Sequence, residues 1–239
     1  MNDTNGQKPE EFSQTLMLAG LAVVLAWHVF SSAFVNLIPD ECSYWAWSRR
    51  LDWSYFDNSG MVAYVIRLST SIFGYSSPLS VRFPFIMLLV LSSALIYSCS
   101  LKMFGNRRHA LASTMVFNLT PVALLGGTAA IHDNILVFFT ALAIWLLTRF
   151  LEDGRHRWLY LTGVAIGFSI LSKYTGVISL GCVFIFLIWQ QDRRQLLLTR
   201  TPWLAAATAL LFVLPILYWN WLHDWASLSH ILFIGSGAV

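Results

Sequence analysis

The sequence predicts an all-α protein, a polytopic transmembrane helical bundle of about seven spans with a long extracytoplasmic first loop that carries short amphipathic helices. Two observations support this prediction. Hydrophobic residues make up 57% of the 239 residues and charged residues only 11%, whereas soluble domains average about 25% charged residues. The chain also contains several uncharged runs long enough to cross a hydrocarbon layer about 30 Å thick.

The composition also excludes several classes of protein. So low a charge content excludes a water-soluble domain and a disordered chain. The formal net charge of +3 comes from scattered residues rather than from a basic stripe, so no nucleic-acid partner is expected. Cys42, Cys99 and Cys182 share no metal-ligand spacing and form no disulfide framework, so we interpret them as packing residues.

The predicted spans follow a polar N-terminal segment, residues 1–14, which we predict to be cytoplasmic. Residues 15–239 are predicted to form one transmembrane domain. Residues 158–191 are apolar except for Lys173, and a single helix of that length would reach about 51 Å, so two helices that meet near residues 172–174 are expected. The predicted spans are residues 15–38, 83–101, 110–130, 134–148, the two halves of 158–191, and 202–219.

Lysine and arginine set the predicted orientation. Three alternate short loops carry nine of them, whereas the intervening loops carry only Lys173. Because basic loops stay in the cytoplasm, the N-terminus is predicted inside and the loop of residues 39–82 outside. Within that loop, residues 61–75 have apolar residues at helical spacing and are predicted to lie in the interface. Arg49 and Arg50, which follow the first span, favour the opposite orientation on their own.

Acidic residues outside the cytoplasmic loops fall on this predicted outer side. Asp40, Asp133 and Lys173 each lie at a span boundary. An ionisable group costs about 2.5–3.5 kcal/mol at the bilayer centre, so such groups persist mainly where they pair or act. A shared outward cavity is therefore predicted, and solvated helix ends remain the alternative.

Such a cavity could catalyse group transfer without a nucleotide. A carboxylate can deprotonate a nucleophile, and a nearby lysine can neutralise the phosphate of a lipid-borne leaving group. The sequence contains no GxxxxGK[ST], HExxH or GxSxG motif, so no nucleotide cofactor is expected. A divalent metal stays open, since no spacing demands one. Trp45, Trp47, Trp53 and Tyr55 could stack on a sugar or form an interfacial aromatic belt.

Two segments of the first loop carry a family resemblance. Residues 40–47 read DECSYWAW and residues 51–57 read LDWSYFD. They resemble the D-E-x-x-Y-W-x-W and L-x-W-x-Y-F-D stretch of membrane glycosyltransferases of the GT-C fold, in the branch of the protein O-mannosyltransferases and the lipid A aminoarabinose transferases. The resemblance continues at residues 81–84, 132–134, 171–176, 219–220 and 223–227.

The resemblance implies a function and four site residues. It implies an inverting glycosyltransferase that moves a sugar from a polyprenyl-phosphate donor to a lipid, glycan or protein acceptor on the extracytoplasmic face. Asp40, with Glu41, takes the place of the catalytic base. Asp133 takes the second acidic position, which helps to position donor or acceptor, and Lys173 matches the lysine expected near the donor phosphate.

Further residues in the matching segments are predicted to bind substrate: Tyr55, Asp57, Arg82 and His132. We expect a multi-pass protein of the bacterial inner (plasma) membrane with the site facing the periplasm or exterior. Relatives usually continue Y-F-D with H-P-P, whereas residues 58–60 here are Asn-Ser-Gly.

The chain resembles only the N-terminal half of such enzymes, which leaves other functions open. A partner chain could complete the fold, and the chain could be a non-catalytic remnant or an assembly subunit. A transporter or flippase is a further alternative, but it would need acids in mid-span, and the predicted spans contain no Asp or Glu.

Overall fold

The computed structural model describes residues 7–235, and every regular element in this range is helical, as predicted. Part of the predicted N-terminal segment, residues 1–6, and residues 236–239 lie outside the described residues. The helices are α1 (Gln7–Phe34), α2 (Pro39–Arg49), α3 (Met61–Phe73), α4 (Pro78–Phe104), α5 (Arg107–Leu119), α6 (Pro121–Gly126), α7 (His132–Asp153), α8 (His156–Ser172), α9 (Val177–Trp189), α10 (Arg200–Leu211), α11 (Leu214–Leu222) and α12 (Ala226–Gly235). Two 3₁₀ segments, Tyr174–Gly176 and Gln191–Leu198, flank α9.

Four helical segments are long and apolar enough to cross a membrane, and the count becomes five if one bent pair forms a single span. The predicted count of seven spans is therefore not confirmed within residues 7–235. The four segments are Ser13–Phe34, Pro78–Phe104, His132–Asp153 and Arg200–Leu222, and the bent pair is Tyr174–Trp189 with Gln191–Leu198.

Two of the predicted spans are shorter or more broken than expected. Residues 110–130 were predicted as one span, but α5 ends at Leu119 and α6 begins at Pro121. Proline has no amide hydrogen and its ring crowds the preceding turn, which favours the break at Thr120, where the backbone leaves the helical conformation (φ −59°, ψ 142°). Helix α8 has 17 residues, which is about 25 Å and the lower limit for a span.

The predicted break near Lys173 is confirmed. Helix α8 ends at Ser172, and Lys173 has an extended backbone (φ −148°, ψ 137°) before the 3₁₀ turn and α9. The predicted short helices of the first loop are also present as α2 and α3.

Contacts between loops show that the basic loops meet at one end of the bundle. Lys102, in the last turn of α4, pairs with Glu152 near the end of α7 at 2.6 Å. Arg193 donates to the carbonyl of Leu151 at 3.2 Å, which brings the α9–α10 connection to the same place. This group of helix ends is called the basic end below, and the opposite group, which carries the first loop, is called the acidic end.

Close helix packing joins α8 to α10, and a hydroxyl group joins the first loop to α8. Gly163 of α8 lies so close to α10 that a Cβ atom there would overlap the backbone of Ala205. The first loop is attached to α8 through Ser59, whose hydroxyl lies within hydrogen-bond range of the carbonyls of Leu171 and Ser172. The first loop and the end of α8 therefore form one surface.

Candidate functional site

Asp40 is the exposed acid of the first turn of α2. The helix begins there because Pro39 fills its first position, where no amide hydrogen is needed. The carboxylate of Glu41 then accepts a hydrogen bond from the backbone N–H of Ile38 at 2.9 Å, which closes the turn. Asp40 is left free to face solvent beside this capped helix start.

The neighbouring Glu41 is fully buried and forms an ion pair. Arg82 of α4 donates to both carboxylate oxygens, from Nε at 2.7 Å and from Nη2 at 2.5 Å. The backbone N–H of Ala130 donates to Oε1 at 2.8 Å. Burial by itself opposes ionisation, but these hydrogen bonds, the one from Ile38 and the charge of Arg82 outweigh it and lower the pKa of Glu41 below its ordinary value.

Arg82 also fixes the end of α1. Its guanidinium donates to the carbonyl of Val35 at 2.8 Å and to that of Asn36 at 3.0 Å. The pair therefore joins α1, α2, α4 and the segment before α7. Because Glu41 has no exposed surface and Arg82 is only 5% exposed, this burial favours a structural role over the predicted catalytic role of Glu41 and the predicted substrate contact of Arg82.

Tyr44 lies one turn after Asp40, among three carboxylates. Burial, and then the negative charges of Asp40, Asp57 and Asp133, raise the pKa of Tyr44 to about 12. Charges act on a pKa over a limited range, and Tyr44 also packs against His132, the residue before Asp133, so the three acids lie near Tyr44. Asp40 and Asp133, which the sequence predicts to converge, thus lie at the same end of the bundle.

Lys173 completes this group through an ion pair with Asp133. The distance from Nζ to Oδ1 is 2.7 Å. Roughly a third of the Lys173 side chain and half of the Asp133 side chain remain exposed, so a ligand can reach both. The backbone beside them is held because Ser172 donates from its hydroxyl to the carbonyl of His132 at 2.8 Å.

His132 is buried beneath Tyr44. Its ring meets the Tyr44 ring edge-on, with 4.4 Å between the centroids. The residue is 3% exposed, and neither ring nitrogen has a hydrogen-bond partner among the described residues. His132 therefore supports the Tyr44 ring from inside the bundle and has little surface for the predicted substrate contact.

Asp57 is paired with a residue that the sequence reasoning missed. His230 of α12 lies 3.5 Å from the Asp57 carboxylate, an ion pair only when the histidine is protonated, and its ring packs 4.4 Å from that of Phe56. Helix α12 reaches this place because the hydroxyls of Tyr174 and Ser227 lie 2.9 Å apart. His230 lies three residues beyond residues 223–227, the last segment of the family resemblance, so no motif in the sequence identifies it.

Tyr55 forms hydrogen bonds and a stacking contact within the first loop. Its hydroxyl lies 2.9 Å from the carbonyl of Arg50 and accepts from the backbone N–H of Asp52 at 3.2 Å. Its ring stacks on Trp47 at 4.3 Å, with 6° between the planes. These contacts leave little of Tyr55 for the predicted sugar contact, and they keep the loop compact.

Asp52 attaches the loop to α11. The indole N–H of Trp219 donates to the Asp52 carboxylate at 2.9 Å. Trp219 itself stacks on His223 at 4.0 Å, with 12° between the planes. The loop of residues 39–82 is thus held by α4, α8 and α11 together.

The described residues contain no group of three or more His, Cys, Asp or Glu side chains arranged to hold a metal ion. The acidic end carries exposed carboxylates and the exposed ammonium group of Lys173. An exposed carboxylate can take a proton, and an exposed ammonium group can neutralise a phosphate.

Comparisons with known proteins agree with this architecture. Residues 57–219, more than half of the chain, match the family described as dolichyl-phosphate-mannose-protein mannosyltransferase. The lipid A galacturonosyltransferase RgtD of Rhizobium johnstonii is 28% identical over 221 residues, covering 89% of this chain and 45% of that protein. The undecaprenyl phosphate-alpha-4-amino-4-deoxy-L-arabinose arabinosyl transferase of Wigglesworthia glossinidia brevipalpis is 27% identical over 187 residues, covering 71% of this chain and 33% of that protein.

A solved structure shares the fold. The Saccharomyces cerevisiae protein O-mannosyltransferase Pmt1-Pmt2 complex bound to the sugar donor superposes with a TM-score of 0.63 at 21% identity, over 90% of this chain and 34% of that chain. The present chain spans less than half the length of the curated relatives that it matches.

Proposed function

This chain belongs to the dolichyl-phosphate-mannose-protein mannosyltransferase family, and from that premise we propose that it is an inverting glycosyltransferase with a polyprenyl-phosphate-linked sugar as donor. The acceptor is a lipid, a glycan or a protein. The observation that carries the proposal is the grouping of an exposed carboxylate, Asp40, with Asp133 and Lys173 at one end of an apolar helical bundle.

Asp40 is the general base in this proposal. It is exposed, it lies at a helix start, and Asp57 and Asp133 share the space around its neighbour Tyr44. The acceptor hydroxyl or amine gives its proton to Asp40 while its oxygen or nitrogen attacks the anomeric carbon of the sugar. The bond from that carbon to the phosphate oxygen breaks, and the configuration at the carbon inverts.

Lys173 receives the leaving group. The polyprenyl phosphate departs with an additional negative charge, and an ammonium group at its oxygen stabilises that charge in the transition state. Asp133 lies 2.7 Å from Nζ of the lysine, so its role is to orient that ammonium group. His230 and Asp57 border the same space and are candidates for sugar contact.

Glu41 and Arg82 are assigned a positioning role. Asp40 is the residue before Glu41, and Asp133 lies three residues after Ala130, whose backbone N–H binds the Glu41 carboxylate. The buried pair therefore controls the separation of the two exposed acids without contact with substrate.

We propose a bacterial inner-membrane location with the acidic end facing the periplasm. The gathering of nine lysines and arginines in the loops of the opposite end supports this orientation. Since the chain covers less than half of its relatives, segments beyond it or a partner chain are expected to complete the acceptor side. The second candidate function is an assembly subunit without activity of its own. It is favoured by the same observation, that the chain covers less than half of its relatives.

The test is transfer of labelled sugar in membranes that contain the chain. The donors are undecaprenyl phosphate carrying 4-amino-4-deoxy-L-arabinose, galacturonate or mannose, and the acceptor is lipid A. Asp40→Asn is expected to lower turnover by about 10²–10⁴-fold, the usual contribution of a general base. Membrane insertion and expression should be unchanged, because Asp40 is exposed.

Asp224→Asn is the matched control, since Asp224 is an exposed acid near the same end. Its turnover should equal that of the wild type. Equal turnover of wild type and Asp40→Asn would remove Asp40 as the base. Absence of wild-type turnover with every donor would favour the assembly subunit.

A further inference from the structure

Two tryptophan rings form a platform at the basic end of the bundle. Trp145 of α7 and Trp158 of α8 meet edge to face with 6.3 Å between their centroids. Both indole N–H groups are already satisfied, by the hydroxyl of Ser98 at 2.9 Å and by the carboxylate of Asp153 at 2.8 Å. Both rings pack in part against the buried core and are in part exposed.

Three cations pack on these rings. The Arg149 guanidinium carbon lies 5.6 Å from the centroid of Trp145 and 5.4 Å from that of Trp158. Arg157 lies 4.5 Å from the centroid of Trp158, and the Lys102 ammonium lies 5.9 Å from that of Trp145. Cation–π contacts of this length hold the positive groups in fixed positions.

The acids nearby neutralise only part of this charge. Glu152 pairs with Lys102 at 2.6 Å and with Arg149 at 3.3 Å, and Asp153 pairs with Arg155 at 3.6 Å. Arg157 has no carboxylate partner in the part of the chain that the structure describes. Four cations thus face two acids, which leaves an excess of two positive charges.

One donor inside this cluster is also unused. The Nε of Arg149 is buried and has no hydrogen-bond partner within residues 7–235. A buried donor without a partner costs free energy. An anion that reached Arg149 beside the tryptophans would satisfy this group and offset the excess charge at once.

The cluster lies at the depth of lipid headgroups. Helix α7 has 22 residues from the acidic end to the basic end, which is about 33 Å, close to the thickness of the hydrocarbon core. Trp145, Arg149 and Glu152 occupy its last three turns. Amphipathic tryptophan rings and arginines favour this boundary between acyl chains and phosphates.

We propose that this tryptophan–arginine cluster binds the phosphate of an anionic phospholipid. Arg157 and Arg149 contact the phosphate, and the two indole rings lie along the glycerol and the first acyl carbons. The general preference for basic loops in the cytoplasm explains why cations are present, but it does not explain their packing on a pair of rings. Basic pockets between transmembrane helices are suited to anionic headgroups.

The test compares lipids on the intact chain. The protein is placed in nanodiscs of phosphatidylcholine alone or of phosphatidylcholine with phosphatidylglycerol, and bound lipid and the thermal midpoint are measured. Phosphatidylglycerol should be retained preferentially and should raise the midpoint. Arg157→Gln should weaken that retention by about fivefold, the effect of one cation near an anionic surface.

Arg50→Gln is the control, since Arg50 is an exposed arginine at the acidic end. It should leave the retention of phosphatidylglycerol unchanged. Equal retention of the two lipids by the wild type, or an equal loss in Arg50→Gln and Arg157→Gln, would overturn the proposal. Stabilisation by inorganic phosphate without lipid would also overturn it, because the site would then take a free anion.

Discussion

The carboxylate of Glu41 is removed from water and receives four hydrogen bonds in return, two from Arg82 and two from the backbone N–H groups of Ile38 and Ala130. An isolated buried charge is very costly, whereas a paired and fully hydrogen-bonded one is tolerated. The two residues are therefore interdependent, and the position of Asp40 beside Glu41 depends on both.

Removal of the Glu41 charge should destabilise the protein strongly. Glu41→Gln leaves the Arg82 guanidinium buried without its counter-ion, and we expect a loss of about 3–5 kcal/mol in the free energy of unfolding in detergent. Asp40→Asn, which changes an exposed acid next to it, should lose almost nothing. Equal stability of the two variants would contradict the structural role of Glu41.

The same pair predicts a pH dependence of stability. The folded-state pKa of Glu41 is held below its ordinary value of 4.5, so its ionised form stabilises the fold above that pH. This contribution is lost as the pH falls from 4.5 through the folded-state pKa. When the thermal midpoint is measured at decreasing pH, the wild type should lose this stabilisation and Glu41→Gln should not. Parallel curves of midpoint against pH for the two proteins would contradict the prediction.

Tyr44 should remain a neutral phenol near the candidate site at all physiological pH values. Burial and the charges of Asp40, Asp57 and Asp133 raise its pKa to about 12, so the phenol keeps its proton. If transfer is measured as proposed above, Tyr44→Phe should reduce the rate by the same factor at every pH from about 6 to 10. A factor that changes across this range would show that the phenol itself titrates.

At the scale of helices, the close approach of α8 and α10 depends on one glycine. A Cβ atom at Gly163 would overlap the backbone of Ala205, and backbone atoms cannot move aside as a flexible side chain can. Gly163→Ala is therefore expected to destabilise the protein by about 1–3 kcal/mol, as measured by thermal or denaturant unfolding in detergent.

Gly181→Ala in α9 is the control for Gly163→Ala. A Cβ atom there meets nothing within 4 Å. Gly181→Ala should stabilise the helix by about 0.5–1 kcal/mol, because alanine loses less conformational entropy than glycine in a helix. A similar loss in both variants would contradict the packing explanation for Gly163, because helix propensity alone favours alanine at both positions.

At the scale of the whole molecule, the acidic and basic ends should lie on opposite sides of the membrane. Cys42 is exposed in α2 at the acidic end and gives a natural reporter. With Cys99 and Cys182 replaced by serine, an impermeant maleimide should label Cys42 in cells whose outer membrane is permeabilised.

The complementary reporter lies at the basic end. In a chain without other cysteines, Arg108→Cys should be labelled only after the inner membrane is broken. Labelling of both reporters from one side would contradict the orientation and would place the candidate site in doubt.

Several features of the site could be anticipated from the sequence. The runs of apolar residues, the break at Lys173 and the separation of acidic from basic loops were readable because they are local properties of the chain. The placement of Asp133 beside Lys173 followed from span boundaries alone. The interruption at Pro121 was also readable, since proline inside a helix removes a backbone hydrogen bond and favours a break, and its omission contributed to the unconfirmed count of seven spans.

Other features required the packed structure. Asp40 and Glu41 are adjacent in sequence and have the same charge, yet one is exposed and the other is buried against Arg82, a residue 41 positions away. His230 reaches Asp57 only because α12 folds back over the first loop.

The sequence by itself determined that this is a helical membrane protein with a polar site at one end, because apolar length and charge distribution act residue by residue. The tertiary structure alone decided which acids are exposed and which are buried and hold the fold. That choice depends on burial and on hydrogen bonds between distant segments, and no local pattern encodes either one.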